Sequence, residues 1–183
     1  ATYIADYRMV VTNNSWGNIT GECDLTGVYD TYSKLMDDIS IQFPYLLHVF
    51  AAGNDGLFNC QGFPQQYHTI VSGHQSAKNV LSVGWAEKNQ TVSIGSSVGP
   101  AADGRLKPEI VSQGSGLRST APDDNYFTDW GTSMAAPTVA GGAALLIEKY
   151  RKMNNDVDPK SGLVKALLMN GARDIENPAP DHK

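Results

Sequence analysis

The sequence predicts an α/β fold in which helices pack on a parallel β-sheet. Residues 8–12 and 46–51 are short apolar segments, and residues 27–43 between them have the spacing of an amphipathic helix. The candidate strands are apolar on both faces, which is typical of parallel strands covered by helices on both sides. With 41% hydrophobic residues in a chain of 183, one sizeable core can be buried. We find no internal boundary and treat residues 1–183 as a single unit.

Each predicted element is supported by a local pattern. The helix of residues 27–43 ends before Pro44, and its apolar face is formed by Val28, Tyr32, Leu35, Met36, Ile39 and Phe43. Two further strands and two further helices are predicted, in chain order, at residues 79–85, 108–112, 133–150 and 161–170. Residues 53–76 are rich in glycine and are predicted to form a long loop, and long loops in compact domains are often functional.

Composition and charge disfavour several classes of function. The net charge of −5 is moderate and the basic residues are scattered, so we expect no nucleic-acid partner and no membrane-binding surface. No apolar run reaches the length of a transmembrane helix. The acidic residues Asp123, Asp124 and Asp129 are interpreted as a solvated loop rather than a calcium site. We expect neither a metal nor a cofactor.

The most informative stretch is the heptapeptide Gly131–Pro137, which places Ser133 among small residues ahead of an apolar run. A serine in this position begins a helix, where free backbone N–H groups and the positive end of the helix dipole favour negative charge. Gly131 allows another backbone segment to approach closely. This environment suits a nucleophile whose reaction forms an oxyanion. For the heptapeptide taken alone, a plain helix cap is an equal alternative.

Three further segments accompany the heptapeptide: Ser15-Trp16-Gly17 after an apolar strand, Ala51–Asn54 after a second one, and Leu106–Val111. In this order, the four segments resemble those of the subtilisin-like serine peptidases, the subtilases. The resemblance extends from about Val10 to about Asp174. It implies a three-layer fold with a parallel sheet and a reaction by acyl transfer to a serine.

The resemblance is incomplete. Subtilases carry their catalytic residues in the order Asp, His, Ser, and this sequence contains neither the aspartate motif nor the histidine motif of the family. The resemblance therefore implies the C-terminal part of a peptidase domain, incomplete at its N-terminal side and inactive by itself. None of the four histidines of this sequence has the flanking residues of the family's catalytic histidine. His48 is predicted to pack in the core, His68 and His74 to be solvated in the loop, and His182 to lie in the tail.

The family's functional residues map onto matching positions of this chain. Ser133 becomes the nucleophile and Asn54 the donor to the oxyanion, although Asn54 without Ser133 in the same chain would be interpreted as a turn residue. Asp55 is expected near the mouth of the primary pocket, where a carboxylate favours basic side chains. The other substrate-binding residues implied by the resemblance are Ser15, Trp16, Gly17, Ala51, Ala52 and Gly53. For Trp16, plain core packing is the alternative.

Cys23 and Cys60 are the two cysteines of the chain, and each follows one of the proposed functional segments. Because loops that leave the carboxyl ends of neighbouring parallel strands lie side by side, the two residues are expected to meet at the rim of the substrate cleft. Two unpaired thiols are the alternative. A disulfide favours a secreted or otherwise exported protein, extracellular or periplasmic.

Two functions follow as hypotheses. The first is a serine endopeptidase that hydrolyses peptide or protein substrates through Ser133 and also requires the N-terminal part of its domain. The second is a non-catalytic module that keeps the fold and binds extended peptides. An unrelated α/β-hydrolase is disfavoured because its Gly-x-Ser-x-Gly motif requires glycine where Ala135 stands. An unpaired edge of the first strand predicts self-association.

Overall fold

The structure of the chain is a computed structural model that describes residues 2–17 and 22–175. In these described ranges, four helices and six strands follow one another as α1 (Thr2–Tyr7), β1 (Val11–Asn14), α2 (Thr31–Gln42), β2 (Leu47–Ala51), β3 (Leu81–Ala86), β4 (Ile110–Gln113), β5 (Leu117–Ala121), β6 (Asn125–Asp129), α3 (Thr132–Met153) and α4 (Ser161–Asn170). Short 3-10 turns occur at Cys23–Leu25 and Gly73–Ser76.

Strands β1 to β4 form one parallel sheet in the order β1-β2-β3-β4, and β5 and β6 form a separate antiparallel hairpin. The register pairs Val11 with Leu47, Val49 with Leu81, and Val83 with Ile110. The carboxyl ends of the four strands therefore lie along the same side of the sheet. The predicted parallel sheet with flanking helices is confirmed, with boundaries that differ from the prediction by a few residues.

The core consists of two apolar layers on opposite faces of the sheet. Alternate residues of β2 and β3 pack against the small-residue face of α3, in a cluster that contains Leu47, Val49, Ala51, Leu81, Val83, Ala135, Ala136, Val139, Ala143 and Ile147. On the other face, Phe50 packs with Met36 of α2 and with Val80. Because both faces of the strands are covered, β2 is buried along its whole length. This burial explains its continuous apolar sequence.

Helix α2 is shorter and rotated relative to the prediction. It begins at Thr31 because Asp30 caps it and accepts a hydrogen bond from the Ser33 backbone N–H at 3.0 Å. Its predicted apolar face is only partly buried, since Tyr32 and Leu35 are 52% and 49% exposed.

The polar side chain of Asp37 accounts for this rotation. Asp37 is buried and accepts hydrogen bonds from the Tyr29 hydroxyl at 2.8 Å and from the backbone N–H groups of Lys78 and Asn79 at 3.2 and 2.8 Å. A buried carboxylate must be satisfied in this way, and here the requirement sets which face of the helix turns inward.

The sequence patterns predicted neither α1 nor the β5–β6 hairpin. The hairpin strands are largely exposed and lack the alternation of a half-buried strand. Asp123 and Asp124, interpreted as part of a solvated loop, lie between the strands and adopt positive φ angles of 61° and 53°. Aspartate tolerates this left-handed conformation in tight turns.

A buried ionic cluster fixes α4 to the sheet. The Glu109 carboxylate accepts hydrogen bonds from Lys107 Nζ at 2.7 Å, from Lys165 Nζ at 2.6 Å and from the Ser82 backbone N–H at 2.8 Å. Burial lowers the pKa of Lys107 to about 8, while the Glu109 charge opposes that shift.

Among residues 2–17 and 22–175, no helix combines the length and apolarity needed to cross a bilayer.

Candidate active site

Ser133 is the second residue of α3, two positions after the helix cap. Gly131 is the cap residue and has a φ of +136°, a conformation that favours glycine. Its N–H donates to the Gly114 carbonyl at 2.9 Å, and a Cβ on Gly131 would lie 3.2 Å from Asn54 Oδ1. The first N–H groups of a helix have no intrahelical acceptor, so negative charge is favoured around Ser133.

Pro137 leaves the Ser133 carbonyl free to contact the segment that follows β1. Because proline has no N–H, the carbonyl of Ser133, four residues earlier, receives no helical hydrogen bond from it. That carbonyl instead accepts a hydrogen bond from Ser15 Oγ at 2.8 Å, and Ser133 Oγ donates to the Ser15 carbonyl at 3.4 Å. The segment after β1 is therefore bound directly to the residue predicted to be the nucleophile.

Asn54 follows β2 and meets the start of α3 through Thr132. Asn54 Oδ1 accepts hydrogen bonds from the backbone N–H and from the hydroxyl of Thr132, both at 2.9 Å. Since a backbone N–H can only donate, these contacts fix the orientation of the amide. Its Nδ2 group is left with two N–H donors and no hydrogen-bond partner among the described residues.

A cavity of about 210 Å³ joins these segments. It is lined by Trp16, Gly17, Ala51, Gly53, Asn54, Asp55, Val71, Gln75, Thr132 and Ser133. Gly53 has a φ of +118°, and a Cβ there would lie 2.2 Å from Val71 Cγ2, so the wall requires glycine at this position. Trp16 is 54% exposed, so it forms part of the cavity wall as well as packing against other rings.

Two of the predicted substrate-binding residues, Ser15 and Ala52, do not line this cavity. Ser15 instead contacts Ser133. Ala52 is fully buried, and it packs with Ile70 and Ala101. Its backbone N–H donates to Val83 and its carbonyl accepts from Val71. Because both backbone groups are occupied and the side chain is in the core, Ala52 supports the wall and does not reach the cavity.

Val71 and Gln75 line the cavity, although the sequence did not indicate them. Both lie near the end of the long loop of residues 53–76, which carries no periodic pattern. Their proximity to Ser133 depends on how the loop folds back under β1 and β2. A sequence signal was available only for Thr132, which stands inside the heptapeptide.

Asp55 places a carboxylate on the cavity wall. Its backbone N–H donates to Ser97 Oγ at 3.0 Å, but its carboxylate has no hydrogen-bond partner among the described residues. Partial burial raises the pKa of this carboxylate. Of the described residues that line this cavity, none has a basic side chain. The site therefore offers an uncompensated acceptor.

A second cavity, of about 470 Å³, lies on the other side of Ser133. Its lining comes from the β5–β6 hairpin and the first turns of α3, and includes Arg118, Phe127, Met134 and Pro137. A wider depression of about 590 Å³ beside β4 lies away from Ser133 and holds none of the predicted site residues. Ser133 thus stands between two adjacent cavities, as a residue that acts on the middle of an extended ligand would.

None of the histidines in the described residues lines either cavity. His48 packs in the core as predicted, 8% exposed, with Nδ1 2.8 Å from Thr12 Oγ1. His68 and His74, expected to be solvated, are each half-buried: His68 stacks on Phe63, and His74 packs among aromatic rings. These ring contacts depend on how the loop folds and leave no sequence pattern. His182 lies outside the described residues.

Cys23 and Cys60 form a disulfide, with their Cα atoms 5.4 Å apart. The bond joins the segment after β1 to the loop after β2, at a sequence separation of 37 residues. In the chain-entropy description, closing a loop of this length stabilises the fold by about 4 kcal/mol. The disulfide thereby limits how far the two segments next to the cavity can separate.

Comparison with known proteins identifies the family of the chain. A family model described as the Subtilase family matches residues 1–183. Subtilisin DY from Bacillus licheniformis is 35% identical over 105 residues, which are 56% of this chain and 32% of that protein. Alkaline elastase YaB from Bacillus sp. (strain YaB) is 36% identical over 110 residues, 60% of this chain and 25% of that protein.

Solved structures show the same fold. The prenylagaramide maturation protease PagA superposes with a TM-score of 0.69 at 23% identity, covering 90% of this chain and 53% of that one. The chain spans about a third or less of the curated relatives it matches and about half of the PagA chain. At this identity the structural likeness concerns the fold alone.

Proposed function

We propose that this chain, which belongs to the subtilase family, is the part of a serine endopeptidase that supplies the nucleophile and the oxyanion donors. The observation that carries the proposal is the contact of Asn54 Oδ1 with Thr132 at the start of α3. Two stretches nearly eighty residues apart meet at one cavity, and Asn54 from one and Ser133 from the other both line it. Because the chain belongs to this family, we take the full-length protein to be a protease.

In the proposed reaction, Ser133 Oγ attacks the carbonyl carbon of a peptide bond. The developing oxyanion is held by the free Nδ2 of Asn54 and by the backbone N–H of Ser133. Donors arranged in advance for such an oxygen need no reorganisation during the reaction. For one donor of this type in subtilisin, removal lowers turnover by about 10²–10³.

A serine hydroxyl needs a base to take its proton, and no histidine of the described residues is placed to do so. We expect the histidine and the aspartate that orients it to come from the N-terminal part of the peptidase domain, as the family's Asp, His, Ser order implies. That part is then a partner of this chain, and the chain alone is inactive.

The substrate is an extended peptide or protein segment. Ser15–Gly17 offers backbone groups beside the cavity, and pairing through main-chain groups tolerates many sequences. The uncompensated carboxylate of Asp55 selects basic side chains for the 210 Å³ cavity. The 470 Å³ cavity beside the β5–β6 hairpin accommodates substrate residues beyond the cleaved bond. The disulfide suits a secreted or otherwise exported protein.

An activity-based fluorophosphonate probe tests the proposal on the full-length protein. Covalent labelling of Ser133, mapped by mass spectrometry and lost in Ser133→Ala, is the expected result. The alternative is a non-catalytic module that binds extended peptides, favoured because no histidine of the described residues lines either cavity beside Ser133. Failure of a folded full-length protein to react with the probe would contradict the peptidase proposal and support that alternative.

The edge of β1 also predicts self-association of this chain in isolation. Within the described residues β1 pairs only with β2, so its other edge presents unpaired backbone groups. We expect the apparent mass in light scattering to rise with protein concentration. A constant monomer mass at high concentration would contradict this expectation.

A further inference from the structure

The 3-10 turn Gly73–Ser76 is held from three directions. Ser33 Oγ of α2 donates to the Gly73 carbonyl at 2.5 Å, and Ser82 Oγ of β3 donates to the Gln75 carbonyl at 2.6 Å. Arg105 donates to the Ser76 carbonyl at 2.8 Å. A turn fixed to a helix, to a strand and to a neighbouring loop is a rigid support for whatever it touches.

The side chain of Gln75 extends from this turn to the substrate-binding segment. Its Nε2 donates to the Trp16 carbonyl at 2.7 Å, and the residue is 1% exposed. Because a carbonyl can only accept, this contact fixes the amide orientation. The Oε1 atom is then buried and has no hydrogen-bond partner among the residues that the structure describes. A buried unpartnered acceptor is a cost to folding, so stability alone does not account for the amide.

Gln75 also supports the next residue of the segment. A Cβ built on Gly17 would lie 2.2 Å from Gln75 Nε2, so the Gly17 backbone rests directly on the amide. One side chain thus determines the direction of the Trp16 carbonyl and the position of the Gly17 backbone. Both backbone positions belong to the segment expected to pair with a peptide.

The same turn holds the Trp16 ring. The His74 ring lies edge-on to Trp16 with centroids 4.8 Å apart and stacks on Phe50 at 5.6 Å. On the other side, Ser15 is bound to Ser133 through Ser15 Oγ. The segment Ser15–Gly17 is therefore held by Ser133 at Ser15 and by the 3-10 turn at Trp16 and Gly17.

We infer that Gln75 is a positioning residue that holds Ser15–Gly17 in the line required for main-chain pairing with an extended peptide substrate. This inference rests on the proposed function, because it concerns the same site. Gln75 contacts no reacting atom and acts through Trp16 and Gly17. Its loss should weaken the association of long peptides without changing the intrinsic reactivity of Ser133.

The test compares Gln75→Met with the unsubstituted full-length protein. Methionine has a similar length but no N–H donor, and Gln42→Met, at an exposed position of α2, is the matched control. We expect KM for an extended peptide substrate to rise at least tenfold in Gln75→Met with little change in kcat. The rate at which a small, non-peptidic fluorophosphonate labels Ser133 should stay within twofold, and Gln42→Met should change neither quantity.

Two results would overturn the inference: an unchanged KM in Gln75→Met, or an equal fall in peptide hydrolysis and in probe labelling while the fold remains intact. A wild-type protein that does not react with the probe would disprove the proposed function instead. In that event, binding of a fluorescein-labelled extended peptide, measured by anisotropy, replaces KM, and at least tenfold weaker binding by Gln75→Met supports the positioning role.

Discussion

The centre of the sheet and the rim of the cavity are held together by different forces. Around β2, β3 and α3 the contacts are apolar and continuous, and every alternate side chain is buried. At the rim, single polar side chains determine where the backbone lies: Ser15 on Ser133, Asn54 on Thr132, and Gln75 on Trp16. The difference implies that stability and activity respond to different substitutions.

The largest effect on stability should come from the sheet centre. Leu81 is fully buried between the sheet and α3, so Leu81→Ala should lower the free energy of unfolding by about 2–5 kcal/mol through lost contacts and a residual cavity. Chemical denaturation of the full-length protein measures this. Leu145→Ala, at a position that is 69% exposed, is the control and should change stability by less than about 0.5 kcal/mol. Turnover per folded molecule should remain normal in both variants.

At the rim, Asn54→Asp should have the opposite profile. Aspartate keeps an oxygen that accepts from Thr132 but loses the Nδ2 donor, so kcat should fall by about 10²–10³ while the unfolding free energy changes little. Asn89→Asp is a matched control, because Asn89 Oδ1 also accepts from the N–H and hydroxyl of a threonine, Thr91. A normal kcat in Asn54→Asp would remove Asn54 from the mechanism.

A smaller change at the rim should alter selectivity alone. In Asp55→Asn, the preference for lysine over leucine at the residue before the cleaved bond should drop by about tenfold, or ~1.4 kcal/mol, as for a charge pair in a partly solvated site. Ratios of kcat/KM for paired peptides measure this preference. Asp38→Asn, on the exposed side of α2, should leave the ratio unchanged. An unaltered ratio in Asp55→Asn would show that Asp55 does not select the substrate.

The smallest effect concerns pH and again separates the sheet from the rim. Burial lowers the pKa of His48 below its ordinary value of 6.5, so the unfolded chain binds a proton before the folded one as the pH falls. Stability should therefore decrease with acidification below about pH 6.5. Urea unfolding between pH 7.5 and 5.5 should show a shallower decrease in His48→Gln than in the unsubstituted protein. Identical pH dependence in the two proteins would contradict this assignment.

Much of the fold was predictable because it is encoded in local patterns. The strands β2 and β3 and the helices α3 and α4 lie within three residues of their predicted limits, since continuous apolar runs and helical spacing are unambiguous there. The predicted positions Ser133, Asn54 and Ser15 meet at the same site. The hairpin and the rotation of α2 were not predictable, because exposed strands have no apolar alternation and Asp37 turns its helix toward polar partners.

Local chemistry within the heptapeptide Gly131–Pro137 is determined by the sequence itself. The heptapeptide places glycine at the cap, serine at the second helical position and proline four residues after the serine. Wherever this helix forms, the Ser133 carbonyl therefore lacks its helical hydrogen bond. Which groups meet that carbonyl and line the cavity was decided only by the tertiary structure. Gln75 and Asp55 line the same cavity, and Ser15 is bound to Ser133 beside it. Only the parallel register of β1, β2 and β3 and the folding of the loop after β2 bring these three residues together.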